Sequence, residues 1–219
     1  MFDSTKMTPN LILASTSRYR AEMLTKCGLS FSQKSPEYIE QILPEEQPRK
    51  AALRLAEGKV QAVANNLGFR VNEQAASQQK SATIIVGSDQ VACLNNTVLT
   101  KPGSATRAIE QLSACSGQWV NFHTGLFVLY KGGGGTETRE TGYVEEFSVK
   151  FRQLTTSEIR RYVALDQPLD CAGSFKAEGL GLTLFDDMRG RDIHTLYGLP
   201  LLQLLEVLRD YGINPLSSL

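Results

Sequence analysis

Apolar and polar positions follow two periods along this chain, and the switches between them mark the elements. Leu11-Ile12-Leu13-Ala14 is a continuous apolar run of strand character that passes into Ser15-Thr16-Ser17 and then Arg18-Tyr19-Arg20. Met23, Leu24 and Cys27 then recur at helical spacing, and Gly28 suits the left-handed residue that ends a helix. The pattern predicts strand, tight turn and helix, with Ser17 as N-cap. After a loop from Gln33 to Pro48, a helical period runs from about Arg49 to Asn66, with Ala52, Leu55, Ala56 and Val63 on one face and Lys59 among them. Gly68 to Ala82 is polar and reads as an exposed loop.

Thr83-Ile84-Ile85-Val86, bounded by Gly87, has the pattern of a strand buried on both faces, which delivers Ser88, Asp89 and Gln90 at its end. Val91 to Thr100 predicts a short hairpin around Asn95-Asn96, and Ala105 to Ser116 a helix with Ala105, Ala108, Ile109 and Leu112 inward. Trp119–Tyr130 and Tyr143–Phe151 read as two long strands joined across a flexible glycine tip, Gly132 to Gly135. Thr155 and Glu158 have capping-box spacing. Asp170 to Glu178 reads as a polar loop, Leu180 to Phe185 as a short strand, and Pro200 to Tyr211 as a helix burying Leu201, Leu204, Leu205 and Leu208. No repeat or linker interrupts this order, so residues 1–219 read as one α/β unit behind an N-terminal tail of residues 1–9.

Composition narrows the function. Lys and Arg total 23 and Asp and Glu total 23, so no overall basic field is available to hold a nucleic acid polymer, and any anion site is a local concentration of charge. The four cysteines lack CxxC or His/Cys ligand spacing and read as reduced thiols of a cytoplasmic protein. No signal peptide and no membrane span is legible. His123 and His194 read as structural, and no serine has the Gly-x-Ser-x-Gly setting of a nucleophile.

The candidate chemistry sits in two places. The turn before the first helix aims unpaired backbone N–H groups, a helix dipole and Arg20 at one point, where a phosphate fits; the same pattern also serves as an ordinary capped helix. Asp89 ends a central strand, where open α/β sheets place ligands, although aspartate is also a common turn former. If the two strands are neighbours, Asp89 meets Arg20, and Lys101 joins it on the stiff Lys101-Pro102 corner. Lys59 on an apolar face either snorkels or meets an anion. A carboxylate among Arg20, Lys59 and Lys101 is the inventory for hydrolysing a phosphoanhydride, usually with Mg²⁺. Glu37 and Glu40 are further hard oxygen ligands.

Taken together, LASTSRYR, SPEYIE, AEGK, GSDQV with the later KP, HTGL, CAGSFKAEG and YGLPL resemble the Maf family of nucleoside triphosphate pyrophosphatases. The resemblance spans nearly the whole chain. It implies a mixed α/β fold of Maf/ITPase type, a twisted sheet flanked by helices with a nucleotide cleft. It also implies cleavage between the α- and β-phosphates, a divalent cation (Mg²⁺ or Mn²⁺), a cytoplasmic location and commonly a homodimer. Carried over by position, Asp89 is the general base, and Ser15, Arg20, Lys59 and Lys101 handle phosphate. Glu37 and Glu40 fall on the acidic loop, so Asp89, Glu40 and Glu37 are the metal candidates. Ile39 stands where the family often has an acid.

Gln90 and the run Cys171 to Gly179 are similar to the 7-methyl-GTP pyrophosphatase branch, in which Tyr19, Gln90 and Glu178 would meet the base. A stacked aromatic such as Tyr19 favours the cationic ring. Glu178 would accept from guanine N1–H and N2–H, and Gln90 would read the O6 edge or fix the ring. The alternatives are the sister branch acting on dTTP and UTP, and a nucleotide-binding regulator tied to septation.

Overall fold

The computed structural model describes residues 8–69, 81–95, 97–135 and 137–217. Most of the tail read at residues 1–9 and most of the loop read at Gly68 to Ala82 lie outside the described residues. The strands are β1 (Asn10–Ala14), β2 (Ser32–Lys34), β3 (Thr83–Leu94), β4 (Thr97–Leu99), β5 (Trp119–Lys131), β6 (Thr138–Phe151) and β7 (Phe185–Gly190). The helices are α1 (Arg18–Lys26), α2 (Pro48–Asn66), α3 (Ala105–Cys115), α4 (Thr156–Asp166), α5 (Ile193–Leu196) and α6 (Leu201–Asp210). The strands form one mixed sheet in the order β2-β1-β3-β5-β6-β7, with β4 also paired to β3. β2, β1 and β3 are parallel, and every other pair is antiparallel. The expected mixed α/β architecture is therefore observed.

Residue parity divides the core, because successive side chains of a strand point to opposite faces. Leu11, Leu13, Ile84 and Val86 pack with Met23, Leu24, Leu204 and Leu208 under α1 and α6. Ile12, Ala14 and Ile85 pack with Ala56, Val60 and Val63 under α2. Along β3 the same parity turns Asp89 toward α2 and turns Ser88 and Gln90 toward α1, α5 and α6. A third cluster joins α3 and α4 to the far half of the sheet through Phe122, Phe147, Val149 and Phe151.

The strand holding Asp89 runs further than the apolar run suggested. β3 continues to Leu94, and it is its neighbour that stops. β1 pairs with β3 only from Asn10↔Thr83 to Leu13↔Val86, β4 pairs only with Ala92 to Leu94, and β5 covers the other edge throughout. One edge of β3 is therefore bare from Gly87 to Val91. This gap, and not a strand end, is where the sheet opens. The strand expected at Leu180–Phe185 is instead a 3₁₀ turn, Leu180–Leu184. Its alternating leucines mimic a strand, but Leu180 and Leu182 are exposed, and the Thr183 hydroxyl donates to Leu180 O at 2.8 Å to close the turn. The strand beside it, β7, is polar on an open sheet edge and so carries little apolar pattern; three-residue β2 escaped detection for the same reason. Ala105, expected inward, is exposed at the start of α3. Among the described residues no helix is long and apolar enough to cross a membrane.

Two glycines let α2 lie unusually close to the sheet. A Cβ on Gly87 would come within 2.6 Å of Val60 Cγ2, and one on Gly125 within 2.2 Å of the Ala52 carbonyl oxygen. Gly125→Ala therefore has to push a helix backbone away, and it is expected to cost about 1–3 kcal/mol, read as a lower urea midpoint at unchanged m-value.

Candidate active site

The bare edge of β3 is the floor of a cleft of about 480 Å³. On one side the chain leaves β1 through Ser15-Thr16-Ser17 into α1, whose first turn carries Arg18, Tyr19 and Arg20. On the other side β4 ends at Leu99, and Lys101 enters the cleft two residues later. Ser17 caps α1 as expected, its side chain accepting from Arg20 N at 3.4 Å, while the Ser15 hydroxyl accepts from Ser17 N at 3.1 Å. The helix start faces the cleft with its positive end, which suits an anion. Arg20 is fixed from behind: Nε donates to Gly198 O at 2.7 Å and Nη1 to Ser15 Oγ at 3.3 Å.

At the centre lies an ion triad. Lys59 is 4% exposed, and its Nζ is 2.5 Å from Asp89 Oδ1 and 2.7 Å from Glu40 Oε1. Of the two fates open to a lysine on an apolar face, this one meets anions. Parity puts Asp89 on the α2 side, and the close approach at Gly87 brings Lys59 down to it. Glu40 arrives on the loop before α2, and that loop is pinned. The Tyr38 ring lies where a Cβ on Gly58 would sit, 2.2 Å from its Cζ, and Arg54 grips Glu46 Oε1 at 2.7 Å and Gln41 O at 2.9 Å. The AEGK stretch thus uses its glycine to seat Tyr38 and its lysine to meet Glu40.

These neighbours shift the acids in opposite directions. Burial raises the Asp89 carboxyl above the usual carboxylate range; Lys59 and Arg20 pull it down, Glu40 adds to the rise, and the net is upward. Burial also raises Glu40, but the hydrogen bond and charge of Lys59, then Lys101 and Arg20, outweigh it and hold Glu40 below its usual range. Glu40 is therefore the more firmly ionised partner and Asp89 the better proton acceptor.

The other end of the cleft is aromatic and apolar. Phe122 and Phe175 meet edge to face at 5.4 Å, with Ala172, Ala177 and Leu196 beside them. Glu178 lies close to two phenols, Tyr19 and Tyr197; burial first, and the Glu178 charge with it, raises both hydroxyls. Tyr19 is 44% exposed at the mouth. Gln90 has less freedom than its two-sided amide promised. Its Nε2 is committed to Thr195 O at 2.8 Å and Thr124 Oγ1 at 3.0 Å, with Leu196 O at 3.2 Å. Two backbone carbonyls fix the amide orientation, so only the carbonyl oxygen of Gln90 is left for the cleft. Cys171 lines this end too, but burial and then Asp170 push its thiol up to about 12, which keeps it unreactive at neutral pH.

Of the residues singled out from sequence, Ser15, Tyr19, Arg20, Glu40 and Lys59 line this cleft together with Asp89, Gln90, Lys101 and Glu178. Glu37 does not: it is exposed, outside the lining, and no cluster of three or more metal-binding side chains exists among the described residues. Between the two acids Tyr38 is seated against Gly58, and it is Glu40, not Glu37, that reaches Lys59. His194 is satisfied by Asp192 Oδ1 at 2.7 Å, whereas His123 Nδ1 is buried without a hydrogen-bond partner, 3.5 Å from Glu146 Oε2; neither lines the cleft. Sequence reasoning missed Gly198, whose carbonyl holds Arg20, and Tyr197, which adds a second ring beside Glu178. Both fall in YGLPL, which carries part of the resemblance but has no contact legible in the sequence.

Do these residues fit a divalent cation? Asp89 and Glu40 converge on one ammonium, so two carboxylates already share a cation, and Asp89 Oδ2 has no hydrogen bond among the described residues. One or two carboxylates completed by substrate phosphates are the usual set for Mg²⁺, and the donors fit.

The profile of the family described as Maf-like protein matches residues 10–211. The 7-methyl-GTP pyrophosphatase of Idiomarina loihiensis is 44% identical over 97% of this chain and 100% of its own length. That of Vibrio vulnificus is 42% identical over 94% of this chain and 97% of its own length. The crystal structure of a nucleoside-triphosphatase / dITP/XTP pyrophosphatase from Mycobacterium abscessus matches over 66% of this chain and 75% of its own, at 13% identity and a TM-score of 0.35.

Asp192 frames the α5 turn that carries Tyr197 and Gly198. It accepts from His194 N at 3.0 Å and Leu202 N at 2.9 Å, and burial, which would raise it, is outweighed by these hydrogen bonds so that it sits below its usual range. Its contribution is present above the unfolded carboxylate pKa and lost as pH falls through the folded one. Asp192→Ala is expected to cost about 1–3 kcal/mol near neutrality and visibly less in strong acid, measured by urea unfolding at both pH values.

Proposed function

The chain belongs to the Maf-like protein family, and from that membership we propose that it hydrolyses 7-methyl-GTP to 7-methyl-GMP and pyrophosphate in the cytoplasm, clearing a modified nucleotide. The observation that carries the chemistry is one buried carboxylate, Asp89, held 2.5 Å from Lys59 on a cleft floor whose rim is a helix N-terminus with Arg20 and Lys101. Arg20 from the α1 side and Lys101 from the β4 side converge on the Asp89–Lys59–Glu40 group, and Phe122, Phe175 and Tyr197 line the cleft beyond them. A nucleotide lying along the bare edge of β3 meets cations with its phosphates and rings with its base.

In this reading Asp89 accepts the proton of a water that attacks the α-phosphorus, a task its upward-shifted carboxyl suits. Arg20, held by Gly198 O and Ser15, orients the phosphates, and the N–H groups of the α1 start receive their oxygens. Lys59 and Lys101 offset charge on the departing pyrophosphate. A divalent cation, when bound by Asp89 and Glu40, supplies neutralisation of the polyphosphate charge.

At the base end, methylation at N7 makes guanine cationic. The Glu178 carboxylate and the faces of Tyr19 and Tyr197 suit that charge, and Gln90 contributes a carbonyl acceptor toward ring N–H donors.

Two measurements test these assignments. On a panel of nucleotides with Mg²⁺ or Mn²⁺, pyrophosphate is the expected product, and Asp89→Asn is expected to lower kcat by about 10²-fold or more. Because Asp89 is the base in its ionised form, the acid limb of kcat/KM should lie above the ordinary carboxylate range. Orthophosphate as first product, or near-normal turnover by Asp89→Asn, would overturn the chemistry. For the base, Glu178→Gln should lower kcat/KM for 7-methyl-GTP at least about tenfold more than for UTP, since a charged acceptor is lost. Tyr19→Leu or Tyr197→Leu should shrink the preference for 7-methyl-GTP over GTP roughly two- to thirtyfold. Equal losses on all nucleotides would mean that these residues only support the cleft.

A further inference from the structure

The ammonium of Lys59 stands where a cation shared by Asp89 and Glu40 belongs, 2.5 Å from one carboxylate and 2.7 Å from the other. We propose that Lys59 is an internal counter-ion that closes the Asp89–Glu40 pair to divalent metal until a polyphosphate draws the ammonium away, so that metal and nucleotide enter together. The inference rests on the nucleotide reading above, but it concerns the free protein.

Three observations carry it. Lys59 is buried on the α2 face, and the tight packing at Gly87 leaves its side chain directed at the cleft floor. Glu40 follows Tyr38, which is seated against Gly58 one residue from Lys59, and its Oε1 already lies 2.7 Å from the ammonium, so both carboxylates are in place around Lys59. The nearest charged groups lining the cleft on this side, Arg20 and Lys101, are positive. An ammonium expelled by a metal alone would move toward like charges, with no anion to receive it. A triphosphate reverses this balance, since it brings the anion that Lys59 lacks and leaves both carboxylates to the metal. By linkage, each ligand then strengthens binding of the other by the same factor.

The test uses the full chain and Mn²⁺ alone, with free ion read by electron paramagnetic resonance and no nucleotide present. Lys59→Met should bind Mn²⁺ more tightly than the wild type by a factor in the range usual for coupled sites, about 5- to 150-fold. Lys59→Arg, which keeps the charge, should stay at the wild-type level, and adding Asp89→Asn to Lys59→Met should abolish the gain. If the methionine variant fails to fold, Lys59→Gln, which leaves an amide between the carboxylates, carries the same expectation. Wild-type protein that binds Mn²⁺ as tightly as the Lys59→Met variant would overturn the inference, as would a gain that survives Asp89→Asn. A gain in Mn²⁺ affinity by Lys59→Met, in a protein whose wild type turns over no nucleotide, would uphold the counter-ion and refute the function instead.

Discussion

The constraint on which the cleft depends is a mismatch of strand lengths. β3 has twelve residues and β1 only five, and their parallel register stops at Leu13↔Val86. A strand edge that loses its neighbour must be shielded or used, because its N–H and C=O groups are no longer paired in the sheet. Here the chain that would have continued β1 turns away through three small hydroxyl residues into α1. The returning β4 takes up β3 again only at Ala92. The gap between them is flanked by a helix start on one side and the corner bearing Lys101 on the other. The site is thus a consequence of register: Arg20 and Lys101 are attached to the two segments that define the gap, and Lys59 reaches in from α2.

A buried lysine between two carboxylates is a costly thing to keep, since desolvation often exceeds the mutual attraction of buried ions. The fold meets that cost with rigidity. Two glycines bring α2 against the sheet, a third seats Tyr38, and Arg54 ties the acidic loop to itself through Glu46. None of these contacts touches the cleft directly, yet each limits where Lys59 and Glu40 can sit. Preorganised charge is worth most in such a setting, because nothing need reorient when charge develops on a substrate.

Much of this was legible in the sequence, and what was not has a physical reason. The turn at Ser15 to Arg20 and the burial of β3 announce themselves because local propensity, capping chemistry and apolar runs all agree there. The length of β3 did not, because Ser88-Asp89-Gln90 interrupt its apolar run before Val91 to Leu94 resume it, and three polar residues in a row look like a loop. Leu180 to Phe185 failed in the opposite sense: alternating leucines imitate a strand, but a hydrogen-bonded turn uses them otherwise. Glu37 and Glu40 are indistinguishable by composition, and only the docking of Tyr38 on Gly58 separates the one that turns in from the one left in solvent. For Gln90, sequence gives the amide but not its commitments, and two carbonyl partners remove half of its recognition capacity.

The Gly198 carbonyl connects the two ends of the cleft. It accepts from Arg20 Nε and, at 2.9 Å, from the Ser88 hydroxyl, one residue from Asp89 on β3. The residue before it, Tyr197, faces Glu178, and the short helix before that is held by Asp192 and by the Gln90 amide. In the function proposed here, a base seated against Tyr19 and Tyr197 presses on the same turn of backbone that holds Arg20. Distant binding energy can reach the reacting end only through a stiff path, and a chain of hydrogen bonds through one peptide is such a path. In the proposed function, selectivity for the base and orientation of the phosphates are therefore coupled through the carbonyl of one glycine.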